Sequence, residues 1–80
     1  MNSDEAKREL GRYIRAQRKY TGLTLEEAAH RAGLDFNNLS RVERGEQLPK
    51  STTLFKLAMV IPLNLNYLAK NYIHYIDMNE

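Results

Sequence analysis

The sequence predicts an all-α fold, five short helices around one core. Apolar residues recur three and four positions apart, and strand-like alternation is absent throughout. Side chains that start helices also alternate with glycines that end them across the first half of the chain. Its 80 residues make one small domain, near the lower limit at which a single core holds without staples. The chain has 0 cysteines, which excludes disulfides and thiolate metal sites. No repeat, linker or low-complexity tract interrupts it.

Helix 1 is expected from about Asp4 to Tyr20, with Asn2 or Ser3 as cap. Its early acids suit the positive end of the helix dipole. Leu10, Ile14 and the stem of Arg18 repeat on one face toward the core, and Thr21-Gly22 ends the helix. Helix 2 opens on Thr24, a good N-cap with Glu27 at capping-box spacing. Ala28, Ala29 and Ala32 give it a small apolar face that lets another helix approach closely. Gly33 is placed to end it in the left-handed conformation, which costs glycine little. Asp35 caps helix 3, where Leu39 and Val42 point inward and Gly45 follows the last turn.

A loop, Glu46 to Pro49, should tuck Leu48 under the core. Helix 4 spans roughly Ser51 to Val60, with Leu54, Leu57 and Ala58 inward. Pro62 pushes Ile61 out of helical geometry and stops it. Helix 5 begins after Asn64 and should run from Leu65 to about Ile76, with residues past Leu68 extending it beyond what the core needs. Leu65, Leu68, Tyr72 and Ile76 trace one apolar stripe, while Lys70, Asn71 and His74 leave the other side polar. Two outcomes fit that stripe. It folds back on helix 1 and completes the core, or Tyr72, Ile73 and Ile76 build a two-fold dimer interface where one patch meets itself.

Charge and motifs narrow the function classes. The net charge of +2 says little, but its distribution is uneven. Residues 1–22 carry Lys7, Arg8, Arg12, Arg15, Arg18 and Lys19 against Asp4, Glu5 and Glu9, whereas residues 23–45 are slightly acidic and 46–80 are balanced. The longest apolar run, Leu57 to Leu63, is broken by Pro62 and too short to span a bilayer. The start MNSDEAKREL has no apolar signal core, and a cytoplasmic location is expected. Catalysis and metal binding find no support. His30 and His74 lie far apart with no nucleophile motif or ligand cluster beside either, and no Gly-rich phosphate loop occurs. No cofactor is expected. Asn38-Leu39-Ser40 matches a glycosylation sequon by chance, because it falls inside helix 3.

The outward residues of helix 3 are more telling. Phe36, Asn37, Asn38, Ser40, Arg41 and Arg44 leave amide, hydroxyl and guanidinium groups on its free face, with no acid among them. Such a helix is suited to reading base edges in a major groove.

The stretch Leu23 to Gly45 resembles the helix-turn-helix of the Cro/phage-repressor (Xre-like) family of DNA-binding proteins. The resemblance rests on Leu23-Thr24-Leu25-Glu26-Glu27-Ala28-Ala29, Ala32-Gly33-Leu34 and Leu39-Ser40-Arg41-Val42-Glu43-Arg44-Gly45. It continues at Pro49, Thr53-Leu54-Phe55-Lys56-Leu57-Ala58 and Leu65-Asn66-Tyr67-Leu68, covering about Leu10 to Leu68. It implies a five-helix domain with helix 3 in the major groove and helix 2 across the backbone. A homodimer would then read two half-sites of a two-fold operator in double-stranded DNA. The implied role is transcriptional regulation, in the repressing sense.

Residue by residue, the resemblance places Arg41 at a base-reading position, where a guanidinium can bond guanine O6 and N7 together. A phosphate contact or a solvated charge is the competing role. Asn37 and Ser40 are lesser base candidates. Phe36 stands where the family often has a polar residue, so it either touches a thymine methyl or packs on the protein. Thr24, Asn38, Arg44 and Lys50 are the expected phosphate contacts. Arg18 and Glu43 match an Arg–Glu pair of the family that would join helix 1 to helix 3. Lys50 sits where a small capping residue is usual, so Ser51 or the backbone must cap helix 4. Pro62 replaces a usual glycine. A protein-interaction module or antitoxin-like partner on the same fold is the alternative, and a salt-insensitive complex that retards no DNA would favour it.

Overall fold

Helix α1 (Ser3–Tyr20) is the longest element, at 18 residues, and the other helices gather along it. Asn2 is its cap, its side chain accepting from the Glu5 N–H at 2.8 Å. The computed structural model of the chain describes residues 1–78. After α1 come α2 (Leu25–Ala32), α3 (Phe36–Glu43), α4 (Ser51–Ala58) and α5 (Leu65–Tyr72), then one 3-10 turn at Ile73–Tyr75. All five expected helices are present, and no strand occurs among the described residues. None of the helices is long and apolar enough to cross a membrane.

Local chemistry sets most of the boundaries. Thr24 and Glu27 form the reciprocal capping box, the Thr24 hydroxyl accepting the Glu27 N–H and the Glu27 carboxylate accepting the Thr24 N–H. Those bonds with Thr24, backbone first and then side chain, hold the Glu27 carboxyl below the usual range. Gly33 takes φ 68° and lets the Leu34 N–H turn back to the Ala29 carbonyl at 2.8 Å, closing the turn into α3. Asp35 caps α3 through the Asn38 N–H, and Asn64 caps α5 through the Tyr67 N–H.

The core is one cluster. Ala6, Leu10 and Ile14 from α1 meet Ala28 and Ala29 from α2, Leu39 and Val42 from α3, Leu54 and Leu57 from α4, and Leu68 from α5. Each fully buried leucine of this set contributes about 1.5–3 kcal/mol relative to exposure. Leu48 packs against the cluster from its loop, as expected. Gly11 is buried where α1 crosses α3, and a Cβ there would lie 2.6 Å from the Glu43 carbonyl oxygen and closer still to that of Val42.

The C-terminal third departs from expectation. Helix α4 stops at Ala58, with Met59 and Val60 in a turn, and Ile61 buried just before Pro62. Helix α5 is not a long helix to Ile76. It ends at Tyr72, gives one 3-10 turn, and becomes extended at Ile76. Tyr72 and the run Ile73-His74-Tyr75-Ile76 are β-branched, aromatic and imidazole residues, all mediocre helix formers, and tertiary contacts decide the outcome. Tyr72 is 4 % exposed and donates its hydroxyl to Glu9 on α1 at 2.9 Å. The Tyr67 hydroxyl beside it, burial and the Glu9 carboxylate together keep the Tyr72 phenol protonated well above its usual range. The Tyr75 hydroxyl donates to the Met1 carbonyl. Tyr72 therefore cannot contribute to a two-fold interface as expected, because it belongs to the protomer's own core. Of the same stripe Leu68 is buried, while Leu65 is 38 % exposed.

The tail also answers the capping question at α4. Lys50 occupies the N-cap and makes no side-chain capping bond. The Ser51 N–H donates to the Asp77 carbonyl at 2.8 Å, and the Asp77 N–H to the Pro49 carbonyl at 3.1 Å. A short parallel pairing of Lys50 with Asp77 thus does the work of a cap side chain.

Candidate nucleic-acid interface

A rigid frame holds α2 and α3 against α1. Arg18, in the last turn of α1, donates Nε and Nη2 to the two carboxylate oxygens of Glu43, both at 2.8 Å, and Nη1 to the Leu23 carbonyl at 3.0 Å. The expected Arg18–Glu43 pair is therefore present. The side chains are only 11 % and 5 % exposed. The hydrogen bonds to Glu43 raise the Arg18 pKa above its ordinary value, against the opposing effect of burial. One guanidinium so fixes the end of α1, the loop entering α2 and the end of α3. Gly11 brings the same two helices to backbone contact one helical stretch away.

On that frame α3 turns Leu39 and Val42 inward and its polar face out. Asn37, Arg41 and Arg44 are exposed, at the four- and three-residue spacing of one face. Ser40 is half-buried, in a cleft it shares with Leu25 at the start of α2 and with Arg15 and Arg44. Asn38 is half-buried near the cap, and Thr24 and Lys50 are exposed. Phe36 is 41 % exposed, so it is not packed away on the protein and its ring edge is free for an apolar contact.

Arg41 is not isolated. Its Nε donates to the Gln47 side-chain oxygen at 3.2 Å, which leaves the two terminal nitrogens, the fork that bonds a base edge, free to donate. Gln47 was not among the expected site residues. Its only sequence signal is a side-chain amide placed just past the glycine that ends α3. Arg44 pairs loosely with Glu46 at 3.2 Å, with both side chains more than half exposed, a pair that adds little. The outer face of α3 is exposed and acid-free, which suits it to a duplex groove, whereas the first turn of α2 (Leu25–Ala32) is closed by the Thr24–Glu27 capping box and carries the exposed acids Glu26 and Glu27.

Comparison with known proteins agrees. The helix-turn-helix domain family matches residues 9–60. The ImmF control region 10 kDa protein of Bacillus phage phi105 is 34% identical over 70 residues, covering 88% of this chain and 78% of that protein. The HTH-type transcriptional regulator ImmR of Bacillus subtilis (strain 168) is 36% identical over 59 residues, covering 74% of this chain but only 46% of ImmR. On the match across α1 to α4 and on these relatives, the chain belongs to the helix-turn-helix domain family, of the Cro/phage-repressor (Xre-like) kind.

Proposed function

We propose that this protein is a sequence-specific double-stranded DNA-binding transcriptional regulator of the repressing kind. Helix α3 enters the major groove, and α2 lies across the backbone. The observation that carries this reading is the exposed Asn37–Arg41–Arg44 face of α3, free of acids and locked in orientation by the Arg18–Glu43 pair. Selection of binding sites from random duplex DNA tests it. A recovered sequence preference supports the reading, and failure to retain any duplex at low salt defeats it.

Within that reading Arg41 contacts a base, with Asn37, Ser40 and Phe36 beside it, while Thr24, Asn38, Arg44 and Lys50 meet phosphates. Arg41→Ala should then cost about 1–3 kcal/mol on the selected site and much less on random DNA. Lys50→Ala and Arg44→Ala should instead weaken binding to all sequences, each flattening the slope of log affinity against log salt by about 1. Equal losses for Arg41→Ala on both DNAs would move it among the phosphate contacts.

The protein acts as a homodimer on a two-fold operator. The apolar groove between α4 and α5 supports this part. Phe55, Leu65, Ile73 and Met78 are 59 %, 38 %, 43 % and 61 % exposed and line one concavity of about 270 Å³, with Ile76 at its wall. A patch of that kind on a small domain marks an association site. Ile73→Asp should leave a folded monomer that binds only a half-site. Sedimentation of the unaltered chain as a monomer at high micromolar concentration would refute the dimer.

A further inference from the structure

We propose that the arginine face of α1, Arg8, Arg12 and Arg15, is a second DNA-backbone surface, which takes phosphates flanking the base-read segment of the same duplex. This rests on the function proposed above and extends its footprint. Arg8, Arg12 and Arg15 are exposed, stand four and three residues apart on one face, and form no ion pair among the described residues. They line one cleft with Arg44 and Glu43, and the Glu43 carboxylate is already occupied by Arg18 at 2.8 Å. What the cleft offers a ligand is therefore positive charge.

That cleft is continuous with the recognition surface. Arg15 and Arg44 also line the neighbouring cleft with Ser40 of α3 and Leu25 at the start of α2. Arg8 lies at the other end, its Cα placed 3.0 Å from where a Cβ on Gly45 would stand, beside the turn that ends α3. The positive track thus leaves α3 at Arg44 and runs back along α1. Arg8 to Arg15 spans about 10 Å of helix, against a rise of about 3.4 Å per phosphate of one strand, so the track matches about three phosphates. The acids of α1 border this track on one side and do not line its cleft. Asp4, Glu5 and Glu9 share the adjoining hollow with Arg8 and Arg12, and Glu9 is held by the Tyr72 hydroxyl at 2.9 Å. The exposed Arg44–Glu46 pair competes for the track at 3.2 Å, and a phosphate displaces so weak a partner.

The test uses the tightest duplex selected by the unaltered protein, prepared both trimmed to the base-read segment and extended by half a helical turn on each side. The triple variant Arg8→Gln, Arg12→Gln, Arg15→Gln should bind the trimmed duplex as the unaltered protein does. On the extended duplex its log–log salt slope should be shallower by about 2.7 per bound protomer, three lost contacts at about 0.9 each. Between 50 and 200 mM salt the unaltered protein should thus lose about 40-fold more affinity per protomer than the variant. The matching triple lysine variant keeps the charge and should keep the slope. An unchanged slope in the glutamine variant overturns the proposal, while the selected site still upholds the function above. Equal losses on trimmed and extended duplexes, or a lysine variant that loses the slope as well, also overturn it. Failure of the unaltered protein to select any duplex would be the separate failure of the underlying function.

Discussion

Glu43→Ala should destabilise the protein by about 3–5 kcal/mol, the cost of removing one member of a buried ion pair. The alanine leaves the Arg18 guanidinium in place, 11 % exposed, with two of its three hydrogen bonds gone. Marginal stability is typical of so small a domain, so a loss of this size takes most of it. Denaturant titration checks this through a lower midpoint at unchanged slope. The paired change Arg18→Met with Glu43→Leu should recover much of the stability, since apolar side chains of similar volume replace a buried pair at little net cost. That double variant also separates stability from orientation. It should fold yet bind its selected DNA less tightly, if the bonds between α1 (Ser3–Tyr20) and α3 (Phe36–Glu43) set the angle of the recognition helix. A loss below about 1 kcal/mol for Glu43→Ala would mean that the pair behaves as an exposed one.

Gly11→Ala should cost about 2–3 kcal/mol net. On helix propensity alone it would gain about 1 kcal/mol, so the sign of the change is decided by packing. The new Cβ would lie 2.6 Å from the Glu43 carbonyl oxygen and nearer to that of Val42. Both are backbone atoms at the end of a helix, and neither can rotate aside. The two helices must separate, loosening Leu10, Ile14, Leu39 and Val42 together. The same change should weaken DNA binding beyond the loss of folded protein, because the separation also shifts Arg18 from Glu43. A neutral or stabilising Gly11→Ala, measured by the same titration, would show that α1 and α3 can part without cost.

What the sequence made legible was local or came through resemblance. Thr24, Glu27, Gly33, Asp35 and Asn64 act on backbone groups within a few residues, so their effect is written in adjacent letters. The Arg18–Glu43 pair spans 25 positions and was reached through the family pattern, not through spacing. Gly11 carries no signal in the sequence, because a glycine inside a helix looks like a weakness until its partner, the backbone of α3, is in view. The helix to Ile76 that the spacing predicts ends at Tyr72 for a related reason. Helical spacing allowed both Leu65 and Tyr72 to face the core, and only the Glu9 bond and the turn after Tyr72 choose between them. The Arg41–Gln47 contact crosses a loop whose path no periodicity describes.

The tail that pairs Asp77 with Pro49 and Ser51 has a kinetic consequence. Together with the bond from Tyr75 to Met1, across 74 positions, it closes nearly the whole chain into one loop. With Tyr72 already held against Glu9, what lies beyond it is a short terminal segment, joined to the rest less extensively than the buried helices are. This segment should therefore open on its own while the helices persist. In amide hydrogen exchange the Ser51 and Asp77 protons should leave through this local opening, well ahead of those in the middle of α1, which should wait for the whole domain to unfold. Each opening would also remove the backbone cap beneath Lys50, so the start of α4 (Ser51–Ala58) should fray at the frequency of the tail and not at that of the core.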